Sequence, residues 1–290
     1  MAIVEPQTKL TELEFVAFDV ETTGLSPVVA RLVELSAVKF RLGDEKVESF
    51  SSLINPGVEI LPEVTAIHGI TNAMVADAPT FNTVIPEFVD FLGHAKTVLA
   101  AHNAPFDVGF MQVAMAKLQL TVPANFVLDT LPLCRRLLPS APDHKLKTIV
   151  EHLSLKPGDF HRALADSYHV KDVIVSLAGD CETEISTWAD LQDLGCVFRL
   201  DDPAGSGYRA EPTQEVRASI QSIDEAIKGG LLLSLKYNGY RMTSRVVRPI
   251  AVIQSRGAFY LNAFCEHAQD ERTFRVDKIT SLKVLVTETE

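Results

Sequence analysis

Asp19-Val20-Glu21 closes the apolar run Phe15-Val-Ala-Phe18. Side chains alternate along an extended strand, so Asp19 and Glu21 share one face. Two such carboxylates repel each other and are costly near a core unless a cation lies between them. Mg2+ or Mn2+, which prefer oxygen ligands, would meet that need. Alone, the pair reads equally well as a polar strand end. His102-Asn-Ala-Pro-Phe-Asp107 follows the short apolar run at 98–101 and puts Asp107 near the start of a helix, also a common place for a structural carboxylate. His161-Arg-Ala-Leu-Ala-Asp166 comes just after Pro157-Gly158. That spacing sets His161 at a helix entrance and Asp166 about one and a half turns further in.

Together these residues resemble the DEDDh family of 3′→5′ exonucleases, which includes the proofreading epsilon subunit of bacterial replicative polymerases. FDVETTGL (18–25), HNAPFDVGFM (102–111) and HRALADS (161–167) are similar to the family's three motifs, in its order. IHGIT (67–71) and LDT (128–130) fit its intermediate landmarks, and the resemblance spans about residues 13 to 180. It implies a ribonuclease H-like fold and two divalent metal ions, Mg2+ or Mn2+, held by Asp19, Glu21, Asp107 and Asp166, with Asp19 bridging. It also implies that His161 takes the proton from the attacking water, a role suited to a side chain with an unperturbed pKa of about 6.5. A tyrosine at 161 would have pointed to the sister DEDDy group. Backbone groups near Thr22, Thr23 and Gly24 are expected to approach the terminal nucleotide, and Leu25 and Phe106 resemble the family's wedge and stacking positions. His68 is a candidate for nucleotide contact or for a structural role; His102 is expected to be structural.

The elements that must position these groups are legible as hydrophobic periodicity. Strands are expected over 15–18, 32–40, 49–54 and 98–101, and helices over 108–118 and 163–178, the latter with Leu164, Tyr168, Ile174 and Leu177 as its apolar stripe. Mixed in this way they predict an α/β domain with a mixed central sheet over residues 12–180. The stretch 181–214 holds seven acidic and two basic residues and the run Asp201-Asp-Pro-Ala-Gly-Ser-Gly207, and reads as a linker. Residues 215–290 open with a helix carrying Ile220, Ile223 and Ile227 on one face and stopping at Gly229-Gly230. Asn238-Gly239 signals a two-residue hairpin, and β-rich runs follow at 246–254, 258–264 and 273–286. This is a small, barrel-like antiparallel sheet. Its opening AI...L.KY pattern, Arg248-Pro249, Phe259-Tyr260-Leu261 and Arg272 to Ile279 resemble a WYL domain, an SH3/Sm-like β-barrel, with Phe259 where that family has tryptophan. Arg248, Tyr260, Arg272 and Arg275, among further arginines at 241, 245 and 256, are candidates for binding a nucleotide or nucleic-acid ligand.

Composition bounds these readings. Of 290 residues 47% are hydrophobic and 22% charged, which excludes a disordered chain and suits two domains. Lys and Arg number 27 against 38 Asp and Glu, giving −11. That balance argues against a protein that coats nucleic acid by bulk charge. It is compatible with an enzyme that meets phosphates through metal ions, and residues 215–290, with 11 basic and 9 acidic groups, are the basic part. Cys134, Cys181, Cys196 and Cys265 have no metal-binding or disulfide-framework spacing, so reduced thiols in a cytoplasm are expected. The N-terminal residues have no leader-like pattern, and no apolar run approaches the ~18 to 20 residues that span a bilayer, so no membrane association is expected. The expected function is metal-dependent 3′→5′ hydrolysis at single-stranded DNA or RNA ends. An RNA-trimming exoribonuclease would use the same residues. A non-catalytic ligand sensor and a polymerase-bound proofreading subunit are the other readings, the first opposed by five intact active-site residues.

Overall fold

The computed structural model describes residues 4–93, 96–156, 158, 160–179, 185–202, 211–255 and 257–285. Cys181, Arg256 and the Gly205-Ser-Gly207 part of the expected linker lie outside them. The strands are β1 (Phe15–Thr22), β2 (Leu32–Phe40), β3 (Glu48–Leu53), β4 (Val98–Ala101), β5 (Phe126–Asp129) and β6 (Val197–Arg199). They form one mixed sheet in the order β3-β2-β1-β4-β5-β6. β1 runs antiparallel to β2 and parallel to β4, and β4 runs parallel to β5. The helices are α1 (Pro62–His68), α2 (Asn72–Val75), α3 (Phe81–Leu92), α4 (Pro105–Lys117), α5 (Thr130–Leu137), α6 (Leu146–His152), α7 (Ala163–Gly179), α8 (Trp188–Asp193) and α9 (Gln214–Gly229). None of the described helices is long and apolar enough to cross a membrane.

β1 is covered on both faces, and its alternation sorts its residues into two cores. Phe15 and Ala17 pack with Val170, Val173 and Ile174 of α7. Val16, Phe18 and Val20 pack with Val108, Met111 and Met115 of α4. Continuing the period of two, Asp19 and Glu21 must emerge on the α7 side. A strand buried on both faces reads as an unbroken apolar run.

Two expectations for this region change. Tyr168 does not belong to the buried stripe of α7: it is exposed, and the helix buries Ala163, Val170, Val173, Ile174 and Leu177. Hydrophobicity fails to mark that face because its first turns carry Asp166, Ser167 and His169 inward instead. The second change concerns residues 185–200, which are built into the first sheet rather than acting as a linker. β6 pairs antiparallel with β5, and Trp188 is fully buried against Phe126, ring centroids 5.0 Å apart. Thr187 and Asp190 form a reciprocal capping box that starts α8. The Trp188 and Ala189 N–H groups donate to the carbonyls of Thr8 and Pro6, pinning the N-terminal segment as well. A three-residue strand is too short to show periodicity.

The C-terminal part sets α9 against a five-stranded antiparallel sheet of β7 (Leu232–Asn238), β8 (Met242–Ser255), β9 (Ala258–Cys265), β10 (Asp270–Arg275) and β11 (Ile279–Leu285), in the order β10-β9-β8-β7-β11. Ile223 and Ala226 enter its core, and Gly230 ends α9 in the left-handed conformation at φ 62°. The hairpin at Asn238-Gly239 exists, but Asn238 pairs with Met242, so three residues connect the strands. The run expected over 273–286 is broken by a 3-10 turn at Val276–Lys278. β8 pairs with β7 up to Val247 and with β9 from Val247 onward, with an irregularity in the latter ladder between Pro249 and Ala251; a proline cannot donate to the ladder. Tyr237 reaches across to Phe274, ring centroids 5.2 Å apart, and its hydroxyl accepts from the Arg275 N–H at 3.4 Å. No ladder joins β10 to β11 among the described residues, so the expected barrel is not closed there.

The integral role of residues 185–200 is testable. Trp188→Ala should cost about 3–5 kcal/mol, the range for deleting a buried aromatic ring, read from the urea midpoint. A loss below ~1 kcal/mol would return the segment to linker status.

Candidate active site

The carboxyl end of β1 meets the first turn of α7. Asp19, Glu21 and Asp166 each offer a carboxylate oxygen within 4.8 Å of the others. Asp166 sits in the first turn of α7, not one and a half turns in, because the helix begins at Ala163. Its Oδ2 accepts from the His161 N–H at 2.9 Å, while its Oδ1 is buried with no hydrogen-bond partner. Asp107, also buried, comes from α4 on the opposite side of the sheet, and its Oδ1 accepts from the Val20 N–H at 3.1 Å. That origin explains why it neighbours Asp19 without joining the tight group of three.

Electrostatics mark the cluster as uncompensated. Burial holds the Asp19 carboxyl well above its ordinary pKa, and Asp107, Asp166, Glu21 and Glu34 push it further. Burial, then Asp166 and Glu34, raise Glu21 to about 8, with Arg162 opposing. Asp107 and Asp166 are raised by burial, against the N–H groups of Val20 and His161 respectively. An orphaned buried carboxylate oxygen beside two more carboxylates fits hard divalent cations, which take oxygen ligands and supply the missing charge.

Two acidic residues outside the expected ligand set, Glu34 and Asp129, hold the site together. Glu34 on β2 lies opposite Glu21 and is buried. It accepts from Arg162 Nε at 3.2 Å and Nη2 at 2.8 Å, and from the Ala163 N–H at 2.9 Å. That fork fixes the start of α7, and with it His161 and Asp166. The signal was a lone charge inside the apolar strand LVELSAVKF. Asp129 accepts from the Asn103 N–H at 3.0 Å and the Leu131 N–H at 3.0 Å, bracing the turn before α4, where Asn103 has φ 67°. It is the aspartate of the LDT landmark.

The other expected residues divide. His161 is exposed beside Asp166, held at φ 63°, a conformation rare for a non-glycine residue. Thr22 is buried, its hydroxyl donating to the Gly24 carbonyl at 2.7 Å; Thr23 pairs with Arg31; and Leu25 projects outward, 76% exposed. Phe106 is half-buried against Phe110, centroids 5.1 Å apart. His68 is buried, its Nδ1 accepts from the Ile70 N–H at 3.0 Å and its Nε2 has no partner; burial lowers its pKa. His102 bonds to Thr130 Oγ1 at 3.0 Å and the His144 carbonyl at 2.7 Å, as a structural histidine would.

The four C-terminal candidates are not brought into one site. Arg248 pairs with Glu266, Arg272 with Asp270 and Arg275 with Asp277. Tyr260 packs with Val28, Val113, Ala251 and Ile253 between the two parts of the chain. A separate groove of about 320 Å³ is lined by Tyr237, Tyr240, Arg241, Arg245, Arg272 and Phe274, with no carboxylate among its lining residues. Strand alternation and the hairpin bring these together, which sequence order alone does not reveal.

Without metal the acidic cluster sets a definite pH dependence. Glu21 titrates near its ordinary value of 4.5 when unfolded and at about 8 when folded, so between those pH values folding takes up a proton. The contribution is fully present below the lower value and lost as pH rises through the upper one. The EDTA-treated protein should therefore lose thermal stability from pH 5 to pH 8, and saturating Mg2+ should restore it most at the alkaline end, where metal meets deprotonated ligands. A flat profile in EDTA contradicts this electrostatic picture.

Residues 16–173 match the exonuclease family RNase_T, and residues 218–284 match the WYL domain family. The PolC-type DNA polymerase III of Caldanaerobacter subterraneus subsp. tengcongensis is 40% identical over 166 residues, 57% of this chain and 12% of that protein. The PolC-type DNA polymerase III of Bacillus subtilis (strain 168) is 37% identical over 172 residues, 59% and 12% of the two chains. The chain thus spans about 12% of the length of these curated relatives. Among solved structures, the nuclease domain of 3′hExo, a DEDDh family member bound to rAMP, aligns with a TM-score of 0.52 at 20% identity, covering 60% of this chain and 96% of that one. Exonuclease I of E. coli in complex with a dA16 oligonucleotide aligns with a TM-score of 0.53 at 15% identity over 87% of this chain and 55% of that one, which shows a shared fold. The chain belongs to the RNase_T exonuclease family over residues 16–173 and carries a C-terminal WYL domain.

Proposed function

We propose that the protein removes nucleotides one at a time from the 3′ ends of single-stranded DNA, using two Mg2+ or Mn2+ ions. The carrying observation is that Asp19, Glu21 and Asp166 each offer a carboxylate oxygen within 4.8 Å of the others, while Asp166 keeps its buried Oδ1 without a partner. Asp19, Glu21, Asp107 and Asp166 would hold the ions. When bound, such ions neutralise the phosphate, lower the pKa of water and stabilise the leaving 3′-oxygen. His161 takes the proton from the attacking water, and its N–H bond to Asp166 Oδ2 ties the base to the ligand set. The fork from Glu34 to Arg162 keeps both at the mouth of α7.

The terminal base meets Leu25, exposed on the loop after β1, and the half-buried Phe106, with His68 and the backbone at Thr22 to Gly24 close by. Apolar stacking accepts any base, at about 1–3 kcal/mol each, which suits an enzyme indifferent to sequence. DNA is favoured as substrate by the DNA polymerase relatives. Upstream phosphates are met by the WYL groove, where Arg241, Arg245 and Arg272 flank the fully exposed Tyr240. The arrangement gives a net acidic protein a basic surface for nucleic acid.

Single-stranded DNA labelled at either end should lose its 3′ label first and leave a ladder from its 5′ label. EDTA or Asp19→Asn should abolish turnover, and His161→Gln should lower kcat by about 10²–10⁴-fold. Turnover surviving Asp19→Asn or EDTA overturns the two-metal reading, and faster degradation of matched RNA assigns the protein to exoribonucleases. Arg241→Ala with Arg245→Ala should weaken binding of long strands and reduce the log–log salt slope by about 0.7 for each lost phosphate contact. An unchanged slope removes the groove from the substrate path.

A further inference from the structure

The loop that presents Thr22 to Leu25 does not stand on the nuclease part alone. Its return limb, Ser26 to Arg31, lies between α4 and the WYL sheet. The two limbs are stitched together: the Thr23 N–H donates to the Arg31 carbonyl at 2.8 Å, and the Arg31 N–H donates to Thr23 Oγ1 at 2.9 Å. On the α4 side, Pro27 packs over Gly109, where an added Cβ would lie in ordinary contact with its ring at 3.4 Å. On the other side, Val28 joins Val113, Ala251 and Ile253 in a buried apolar seam.

β10 supplies the polar ties. Glu271 Oε2 accepts from Arg31 Nη2 at 2.9 Å and from Lys117 Nζ at 2.8 Å. Two residues on, and so on the same face of the strand, Thr273 Oγ1 donates to the Val28 carbonyl at 3.2 Å. Lys117 keeps only 6% of its side chain exposed, and burial pulls its pKa down against the opposing pull of Glu271. Glu271 is therefore the carboxylate that lets a buried ammonium and a guanidinium sit together behind the loop, where they would otherwise repel. A surface ion pair would not carry this argument; one carboxylate shared by two cations, one of them buried, does.

We infer that Glu271 is a positioning residue for nucleotide binding: from the WYL sheet it sets, through Arg31, the loop that carries Thr22 to Leu25. The inference rests on that loop contacting the terminal nucleotide, as in the function proposed above. It gives the fused domain a second role, as part of the wall that shapes the nuclease site. Glu271 touches neither the scissile phosphate nor the carboxylate cluster, so its loss should act on substrate affinity and leave the chemistry alone.

The test compares the full chain with Glu271→Gln and Thr273→Val on a single-stranded oligodeoxynucleotide with Mg2+. Glu271→Gln should raise KM about five-fold or more with kcat and the Mg2+ activation midpoint unchanged, and Thr273→Val should raise it less. Arg31→Met added to Glu271→Gln should raise KM no further than the larger single effect, because both act through one contact. A merely structural role would lower Tm and the active fraction, and hence apparent kcat, at constant KM. A wild-type-like KM in Glu271→Gln overturns the inference. Should that variant fail to fold around the uncompensated Lys117, an unchanged KM in Thr273→Val overturns it instead. Wild-type protein inactive on every nucleic acid defeats the proposed function, a distinct result that needs no variant.

Discussion

Mutual repulsion among buried carboxylates is the constraint around which this molecule is organised. The part-buried Asp19 and Glu21 and the buried Asp166 bring carboxylate oxygens within 4.8 Å of one another, with Asp107 and Glu34 close behind. No apolar packing can relieve such a cluster; positive charge must, whether from protons or from metal ions. The surrounding structure is a set of devices that keep it from flying apart. The Val20 N–H holds Asp107, the His161 N–H holds Asp166, and the Arg162 fork holds Glu34. Each is a directed contact to a carboxylate oxygen, and each comes from backbone or from a residue whose place another element fixes.

The sheet makes this affordable. β1 is anchored by two separate apolar cores, one on each face, so its polar end is held in place although its carboxylates repel. α7 and α4 deliver their carboxylates from opposite faces to the carboxyl end of the parallel pair β1 and β4. Open α/β sheets gather ligands at that end because the strands stop there and the loops diverge. The same logic explains His161: its left-handed backbone aims the N–H at Asp166 and leaves the ring outward, a strained conformation held beside the carboxylate cluster.

The WYL part extends the argument from chemistry to binding. Its β10 faces two ways. Glu271 and Thr273 lean on the nuclease loop, while Arg272 and Phe274 line the arginine-bearing groove. The net charge of −11 includes one local cluster of carboxylates that a cation would balance, while the C-terminal groove carries arginines and no carboxylate. Of the four C-terminal residues singled out in the sequence, Arg272 lines this groove together with Arg241 and Arg245. Arg248 and Arg275 are each tied to a nearby carboxylate, and Tyr260 is spent on the seam.

The sequence by itself determined the strand that ends in Asp19 and Glu21, the shared face of that pair, the order of the motifs and the helices that bear Asp107 and Asp166. These are local facts, set by a period of two or of 3.6 and by where apolar runs stop. Only the tertiary structure decided the rest, because the remaining contacts join residues far apart in the chain. Glu34 meets Arg162 across 128 positions, and Arg31 meets Glu271 across 240. Trp188 turned an apparent linker into a sixth strand's support, and Tyr168 turned outward because α7 spends its inner face on Asp166, Ser167 and His169. Periodicity reports which side of an element is apolar; it is silent on which distant charge that side will meet.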